Sequence, residues 1–159
     1  MELFDLSGRV AIITGSTKGI GKAIAARMCQ HGAKVVISSR KADACEAVTA
    51  EINRDFASNG GEAISIPAHV GVEGELRNLV DKTLDKWGKI TTLVPNAAAN
   101  PYYGPSAEMP DSAFEKIWEV NVKSVFRLCH MVLPGMADAG SGSITIIASN
   151  SGLKGSVEL

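Results

Sequence analysis

Four short apolar runs along the chain do not alternate with polar residues, whereas strands with one solvent-facing side would alternate. They are VAII at 10–13, VVI at 35–37, LV at 93–94 and ITII at 144–147. Strands that are buried on both faces show this pattern, which is typical of a parallel sheet between two layers of helices. A weaker run, AISI at 63–66, follows the turn signal NGGE and predicts a further strand.

Apolar residues recur at helical spacing between these runs, which predicts helices that alternate with the strands. The stripe of the second helix comprises Cys45, Val48, Ile52 and Phe56. The stripe of the third comprises Leu76, Leu79, Val80, Thr83 and Trp87. We expect the fourth and longest helix to begin near Asp111 and to stop before Pro134. Its predicted stripe comprises Phe114, Ile117, Trp118, Val122, Val125, Cys129 and Val132.

This alternation of strands and helices predicts an α/β fold. Because crossovers between parallel strands are right-handed, the expected architecture is a doubly wound, Rossmann-type parallel sheet with helices on both faces. No linker, repeat or low-complexity segment interrupts the 159 residues. The sequence therefore predicts one domain over residues 1–159.

The composition excludes several classes of partner. A formal net charge of -1 and a pI of about 6.3 give no reason to expect nucleic acid or an anionic membrane. No apolar run approaches the ~20 residues of a membrane helix, and the N-terminus lacks the pattern of a signal peptide. Cys29, Cys45 and Cys129 lie far apart without a CxxC pair. This spacing indicates reduced packing residues, a cytoplasmic protein and no metal site.

The stretch TGSTKGIG at 14–21 places three glycines between the first strand and the first helix. In a doubly wound sheet this turn lies at the carboxyl ends of the strands, where ligands bind. A bare backbone can approach a pyrophosphate there, and the following helix offers unpaired N–H groups and a positive dipole end. The alternative is a tight structural turn, since the spacing matches neither G-x-G-x-x-G nor a Walker A loop. The predicted cofactor-binding residues are Gly15, Ser16, Thr17, Lys18, Gly19, Ile20 and Gly21.

The residues at the end of the second predicted strand bear on the choice between NADP(H) and NAD(H). A carboxylate about 20 positions past the glycines would accept hydrogen bonds from a ribose 2′-OH, but the sequence there is ISSRK at 37–41. Arg40 and Lys41, beside Ser39, suit a 2′-phosphate, and Lys18 can add a third cation. We therefore predict NADP(H) rather than NAD(H) as the cofactor. In the alternative, Arg40 and Lys41 are solvated surface charges.

Four motifs, in this order, give the sequence a resemblance to the short-chain dehydrogenase/reductase family. TGSTKGIG fits the family's TGxxxGIG cofactor turn, and LVPNAAAN occupies the place of its NNAG motif, with Pro95 and Ala98 as departures. VNVKS at 120–124 and GSITIIASNSG at 142–152 match the segments that carry its catalytic Asn and Ser. NAAANPYYG further resembles the NADPH-dependent, carbonyl-reductase-like members. The resemblance covers nearly the whole chain and implies hydride transfer between NADP(H) and a carbonyl or secondary alcohol.

The resemblance implies two catalytic residues in this chain. Asn121 would hold a water of the proton relay through its carbonyl, and Ser149 would bind the carbonyl oxygen of the substrate. Structural alternatives stay open for both residues. Asn121 could bond a neighbouring backbone instead, because a buried amide without partners costs about 1–3 kcal/mol. Ser149 could be a turn serine, with Ser151 as its rival for the functional position.

Further contacts are implied around the cofactor and the substrate. Asn96, Ala97 and Ala98 lie where the family's NNAG motif contacts the cofactor. His69 and Val70 lie where relatives contact adenine, although a plain loop histidine explains His69 almost as well. Tyr102 and Tyr103 are expected to be pocket walls rather than proton donors.

The family's general acid is a Tyr about a dozen residues beyond the catalytic Ser, with a Lys four positions later that lowers the pKa of this Tyr. No YxxxK motif occurs in the 159 residues. The resemblance therefore implies a chain cut off before this motif and lacking the family's C-terminal strands and helices. We expect the apolar face around 144–147 to be open to water as a result.

Three functions stay open at this point, because the cofactor turn does not distinguish them. The first is an NADP-dependent oxidoreductase that acts on a small-molecule carbonyl or alcohol as a homo-oligomer, either a dimer or a tetramer. The second is a non-catalytic nucleotide-binding fragment, since the catalytic Tyr and Lys are absent. The third is an isomerase or epimerase built on the same scaffold.

Overall fold

The computed structural model describes residues 4–153, and the bounds of their helices and strands are as follows. The strands are β1 Val10–Thr14, β2 Lys34–Ser38, β3 Glu62–Ser65, β4 Thr92–Val94 and β5 Ser143–Ile144. The α-helices are α1 Gly19–Gln30, α2 Ala42–Phe56, α3 Glu73–Trp87, α4 Asp111–Trp118 and α5 Ser124–Asp138. A π-helical turn, Glu119–Lys123, joins α4 to α5. No helix within this part of the chain is long and apolar enough to cross a membrane.

The strands form one parallel sheet in the order β3-β2-β1-β4-β5. The chain runs outward from β1 to β3 and then crosses back to place β4 on the other side of β1. This topology confirms the predicted doubly wound sheet. The carboxyl ends of β1 and β4 therefore flank the point where the strand order reverses, which is where ligands bind in such sheets.

Two apolar layers enclose the sheet. The neighbouring residues Ile12 and Ile13 are both fully buried, yet they belong to different layers. Ile13 packs in a layer with side chains of α1 and α2, namely Ala25, Cys29, Cys45, Val48 and Ile52. Ile12 packs in a layer with side chains of α3 and α5, namely Leu76, Leu79, Val80, Leu128 and Val132. The central strands are thus buried on both faces, as their sequence predicts.

The last strand differs from the prediction in length and in burial. β5 covers only Ser143–Ile144, although the N–H groups of Thr145 and Ile147 still donate to carbonyls of Leu93 and Pro95. Ile146 is 54% exposed, so burial on both faces is wrong for this strand. The reason is topological, because β5 is the edge of the described sheet. The open apolar face expected around 144–147 is present at Ile146.

The predicted stripe of the fourth helix is wrong for three of its seven members. Phe114, Trp118 and Val122 are exposed. The residues that this helical region buries are Ala113, Val120, Ser124, Leu128, Val132 and Met136. A π turn holds more residues than an α-helical turn, so the insertion between α4 and α5 rotates the buried face relative to regular spacing.

The expected stop before Pro134 is also wrong, because α5 continues through Pro134 to Asp138. A proline inside a helix removes one hydrogen bond and costs about 3 kcal/mol. Pro134 itself is exposed, whereas Leu128, Val132 and Met136 keep one buried face on both sides of it. Burial of that face offsets the cost of the proline.

Candidate functional site

The glycine turn connects β1 to α1 at the carboxyl edge of the sheet. Gly15 and Gly19 have φ angles of 66° and 54°, in the left-handed region that favours glycine. A Cβ atom at Gly21 would lie 2.5 Å from Nδ2 of Asn96 and 2.6 Å from the carbonyl oxygen of Gly15. Glycine is therefore required at position 21 for the close packing of the backbone, in addition to any close approach that a ligand requires.

Asn96, at the end of β4, ties that strand to the glycine turn. Its Nδ2 donates to the carbonyl oxygens of Thr14 at 2.9 Å and Gly15 at 3.2 Å. In return, Oγ1 of Thr14 accepts hydrogen bonds from the backbone N–H groups of Asn96 and Ala97. Four hydrogen bonds thus fix the carboxyl ends of β1 and β4 against each other. Thr14 is the first residue of the TGSTKGIG motif but is not among the predicted cofactor-binding residues, which begin at Gly15.

The predicted cofactor residues of the turn divide into buried and accessible members. Ser16 is fully buried, and its hydroxyl donates to the carbonyl of Ile13 and accepts from the N–H of Ser38. Its side chain therefore joins β1 to β2. The members that reach the surface are Thr17, half-buried, and Lys18, Gly19 and Ile20, which are exposed.

The start of α1 has no side-chain cap. Lys18 occupies the N-cap position in an extended conformation without a capping hydrogen bond, and the first turn contains no acidic residue. A Cβ atom at Gly19 would meet no atom within 4 Å. The first N–H groups of a helix carry partial positive charge and lack partners inside the helix. The turn therefore presents bare backbone donors beside open space, which is the arrangement that a pyrophosphate requires.

The end of β2 carries the predicted determinants of nucleotide choice. Ser39 is half-buried, and Arg40 and Lys41 are exposed. Among residues 4–153, no salt bridge engages Arg40, Lys41 or Lys18. The structure thus leaves the charges of all three cations without an acidic partner in the part of the chain that it describes.

The loop after β3 holds His69 through its own contacts. The N–H of His69 donates to the carboxylate of Glu75, and its Nδ1 accepts from the N–H of Gly71 at 3.0 Å. Its Nε2 lies 3.4 Å from Nζ of Lys116 on α4. Val70 is buried. These contacts fix the position of His69 in the loop. A contact between His69 and adenine stays a prediction.

Asn121 lies in the π turn and clamps the loop that follows β4. Its Oδ1 accepts from the N–H of Ala99 at 2.8 Å, and its Nδ2 donates to the carbonyl of Ala99 at 3.0 Å. The side chain is half-buried, and its amide is satisfied by the backbone, as one of the two interpretations requires. Because the side chain is engaged in this way, a role in a proton relay would fall to the backbone carbonyl of Asn121.

Charged side chains anchor the same π turn to its neighbours. Glu119 accepts hydrogen bonds from Arg127 and Lys123, and these hydrogen bonds lower the pKa of its carboxyl group. Arg127 also forms a salt bridge of 3.3 Å with Glu73 on α3. The turn that carries Asn121 is therefore held from α3 as well as from α5.

Ser149 lies beyond β5 and is exposed. Its Oγ accepts a hydrogen bond of 3.1 Å from the N–H of Ser151, which is also exposed. A hydroxyl that accepts one hydrogen bond still has its own hydrogen to donate. Within residues 4–153 that hydrogen has no protein acceptor, so it is available to an oxygen atom of a ligand.

The remaining predicted residues occupy the loops beside this edge. Ala97 is half-buried and Ala98 is exposed. The hydroxyl of Tyr102 donates to the carbonyl of Pro105 at 3.1 Å, and Tyr103 is 70% exposed. The role of both tyrosines as pocket walls stays a prediction.

Two shallow grooves lie elsewhere, one along α4 and the π turn and the other between α3 and α5. One encloses about 490 Å³ and is lined by Phe114, Trp118 and Lys123, among others. The other encloses about 650 Å³ and is lined by Phe126, Arg127 and His130, among others. Neither groove includes the glycine turn, so we assign them to the exposed face of these helices and not to the candidate cofactor site.

Comparisons with known proteins agree with this geometry. A family model described as short chain dehydrogenase matches residues 9–159. Dehydrogenase/reductase SDR family member 4 of Caenorhabditis elegans is 41% identical over 148 residues, which cover 92% of this chain and 55% of that protein. The chain spans about half the length of the curated relatives it matches.

Solved structures with similar folds include two cofactor complexes. A 7 alpha-hydroxysteroid dehydrogenase complexed with NADH and 7-oxo glycochenodeoxycholic acid has a TM-score of 0.86 at 35% identity, covering 97% of this chain and 58% of that one. A metagenomic short-chain oxidoreductase in complex with NADP has a TM-score of 0.86 at 32% identity, covering 96% of this chain and 67% of that one. The two complexes contain different nucleotides and so do not select one for this chain.

Proposed function

The chain belongs to the short chain dehydrogenase family, and we propose that residues 1–159 form the dinucleotide-binding domain of an NADP(H)-dependent oxidoreductase. Its reaction would be hydride transfer between NADP(H) and a carbonyl or secondary alcohol on a small molecule. NAD(H) is the less favoured cofactor.

The observation that carries the choice of nucleotide is the charge at the end of β2. Arg40 and Lys41 follow that strand directly, and no carboxylate occurs in the segment 37–41. Both cations lack acidic partners among the described residues. A ribose 2′-phosphate would supply the missing anion, whereas a ribose 2′-OH would leave the two charges unused.

The glycine turn fits the pyrophosphate of the same nucleotide. The uncapped start of α1 supplies N–H donors and positive dipole charge. Open space beside Gly19 admits the phosphates, and Lys18 adds a cation at the N-cap. Asn96 and Thr14 hold this turn in place from β4 and β1.

When bound, the nicotinamide supplies the hydride, and the protein supplies orientation and polarisation. In this proposal Ser149 donates its free hydroxyl hydrogen to the substrate oxygen, where negative charge develops. Asn121 holds the loop after β4 against the π turn and leaves its backbone carbonyl to bind water. We assign no proton donor within this chain.

Arg40→Asp is the substitution that tests the choice of nucleotide. We expect it to weaken NADPH binding about tenfold or more, since a charge-assisted contact to phosphate is lost and a repulsion is added. The measurement is a fluorescence titration with NADPH and with NADH. Lys89→Asp is the matched control, because Lys89 is an exposed cation that precedes β4 at the opposite edge of the sheet. Equal affinities of the unmutated chain for NADPH and NADH would contradict the proposal.

A second candidate is nucleotide binding without turnover. The observation that favours it is the lack of a YxxxK motif in the 159 residues, because a general acid typically contributes a factor of about 10²–10⁴ in rate. Incubation of the chain with NADPH and a panel of ketones and aldehydes separates the two candidates. NADPH consumption supports the oxidoreductase, and binding without consumption supports the second candidate.

We further propose a homo-oligomer, a dimer or a tetramer, as the state of the protein. Its support is the exposed apolar face of α4 and α5, which includes Phe114, Trp118, Val122, Phe126 and Leu133. Several exposed large apolar side chains along one helical region are typical of an interface. The cytoplasmic location stays a prediction of the sequence; Cys29, Cys45 and Cys129 are free thiols in the structure.

A further inference from the structure

Three hydrogen bonds from three different segments fix the backbone at the last residue of β2 and at the residue that follows it. Oγ of Ser16 accepts from the N–H of Ser38 at 2.8 Å. The N–H of Ala68 donates to the carbonyl of Ser39 at 3.0 Å. The N–H of Ser39 donates to Sγ of Cys45 at 3.2 Å. The residue that precedes Arg40 is therefore held on both its N–H and its carbonyl.

Cys45 makes the largest set of these contacts. It lies in the first turns of α2, is fully buried, and donates its own N–H to the carbonyl of Lys41. Its Sγ lies 3.3 Å from Oγ of Ser39 and 3.6 Å from the carbonyl oxygen of Ser39. One sulfur atom thus contacts the backbone N–H, the backbone oxygen and the hydroxyl of Ser39.

We propose that Cys45 is a positioning residue for nucleotide selectivity, acting through Ser39 on Arg40. This inference rests on the proposed function, in which Arg40 contacts a 2′-phosphate. Because the sulfur fixes the backbone of Ser39, the Cα atom of Arg40 has a fixed place at the strand end. If Arg40 is already ordered in the free protein, nucleotide binding removes less conformational entropy. This gain applies only to a nucleotide whose 2′-phosphate contacts Arg40. Cys45 itself touches no ligand, since it is buried.

The chain offers a matched control for this cysteine. Cys29 is also fully buried and packs in the same apolar layer, but it lies in α1. Its sulfur forms no hydrogen bond with the segment 38–41 among the described residues. Replacement of either cysteine by alanine removes the same volume from the same layer, and only Cys45→Ala removes the contacts to Ser39.

The experiment measures dissociation constants for NADPH and NADH with the unmutated chain and with Cys45→Ala, Cys45→Ser and Cys29→Ala, after circular dichroism has shown that each is folded. We expect Cys45→Ala to weaken NADPH binding about three- to tenfold, because Arg40 must then be ordered when the nucleotide binds, and NADH binding less than twofold. Cys45→Ser should recover most of the NADPH affinity, because a hydroxyl can accept from the N–H of Ser39. Cys29→Ala should leave the ratio of the two affinities unchanged.

Two results would overturn the inference and leave the proposed function standing. One is an NADPH preference in Cys45→Ala equal to that in Cys29→Ala. The other is a Cys45→Ser variant no better than Cys45→Ala, which would show that packing and not hydrogen bonding matters. An unmutated chain that binds both nucleotides equally, or neither, overturns the NADP(H) proposal itself, and this inference with it.

Discussion

Asn53 and Asn121 clamp the backbone of an alanine in the same way in two different regions of the molecule. Asn53, in α2, donates to the carbonyl of Ala63 at 2.9 Å and accepts from its N–H at 2.7 Å. Asn121, in the π turn, makes the same pair of bonds to Ala99 at 3.0 and 2.8 Å. The two regions differ in what surrounds the clamp: β3 near its amino end for Asn53, and the loop after β4 for Asn121.

This comparison shows that the side chain of Asn121 makes a structural tie that also occurs far from the candidate site. What distinguishes Asn121 is its helical geometry, since π turns occur mostly as single turns inside α-helices and often at functional sites. In the first region, β1 to β3 with α1, α2 and α3, the sheet is covered on both faces. The second region, β4 and β5 with α4 and α5, exposes apolar side chains such as Trp118 and Ile146.

Gly21→Ala would break the junction between the two regions and should have the largest effect. The new Cβ atom would collide with Asn96 from the second region and with the Gly15 carbonyl from the first. Overpacking of this kind costs about 3 kcal/mol, and we expect a corresponding loss of unfolding free energy in urea, together with loss of NADPH binding.

Gly74→Ala is the control for this change, because Gly74 also lies in the first turn of a helix but has open space around it. Alanine there should stabilise the chain by about 0.5–1 kcal/mol. Equal stability changes at Gly21 and Gly74 would show that the junction is not tightly packed.

Asn121→Ala and Asn53→Ala sharpen the comparison of the clamps. Each should destabilise the chain by about 1–3 kcal/mol, because the N–H and carbonyl of Ala63, which is buried, or of Ala99, which is half-buried, lose their partners. Only Asn121→Ala should weaken NADPH binding by threefold or more, since Ala99 follows β4 in the loop beside the candidate site. Urea denaturation and NADPH titration measure the two effects. A loss of NADPH binding with Asn53→Ala as large as with Asn121→Ala would contradict the separation of the regions.

Ile146→Thr should have the smallest effect, within about 0.5 kcal/mol, because this side chain is exposed. Val36→Thr provides the contrast in the covered region, where a fully buried hydroxyl without a partner costs about 1–3 kcal/mol. Thermal denaturation at low protein concentration compares the two. A large loss at Ile146 would show that another surface covers β5 in solution.

The sequence predicts the covered region well and the open region poorly. The stripes of α2 and α3, such as Cys45, Val48 and Ile52, are buried as expected, because regular helices against a two-sided sheet keep regular spacing. The stripe from Phe114 to Val132 is wrong at Phe114, Trp118 and Val122, since a π turn has no clear sequence signal and changes the spacing. In the sequence, the exposed apolar residues of this region cannot be distinguished from core residues.

The main residues of the candidate site can be predicted from the sequence, whereas the contacts that hold them in place cannot. The glycine motif and the end of the second strand predict the glycines and Arg40, the family resemblance implies Asn121, and the structure places the turn and Asn96 together. The contacts of Thr14 and Cys45 could not be predicted, because they join residues whose proximity depends on the turn after each strand. Whether each predicted residue touches a cofactor stays a prediction.

Amide chemical-shift mapping during titration with NADPH is the most direct test of NADP(H) binding at the glycine turn and the end of β2. We expect ¹⁵N-labelled protein to show its largest amide shifts at 15–21, 39–41 and 96–98, and we expect NADH to perturb 39–41 less than NADPH does. An absence of shifts in these segments at millimolar NADPH, or largest shifts along the outer face of α4 and α5, would contradict it.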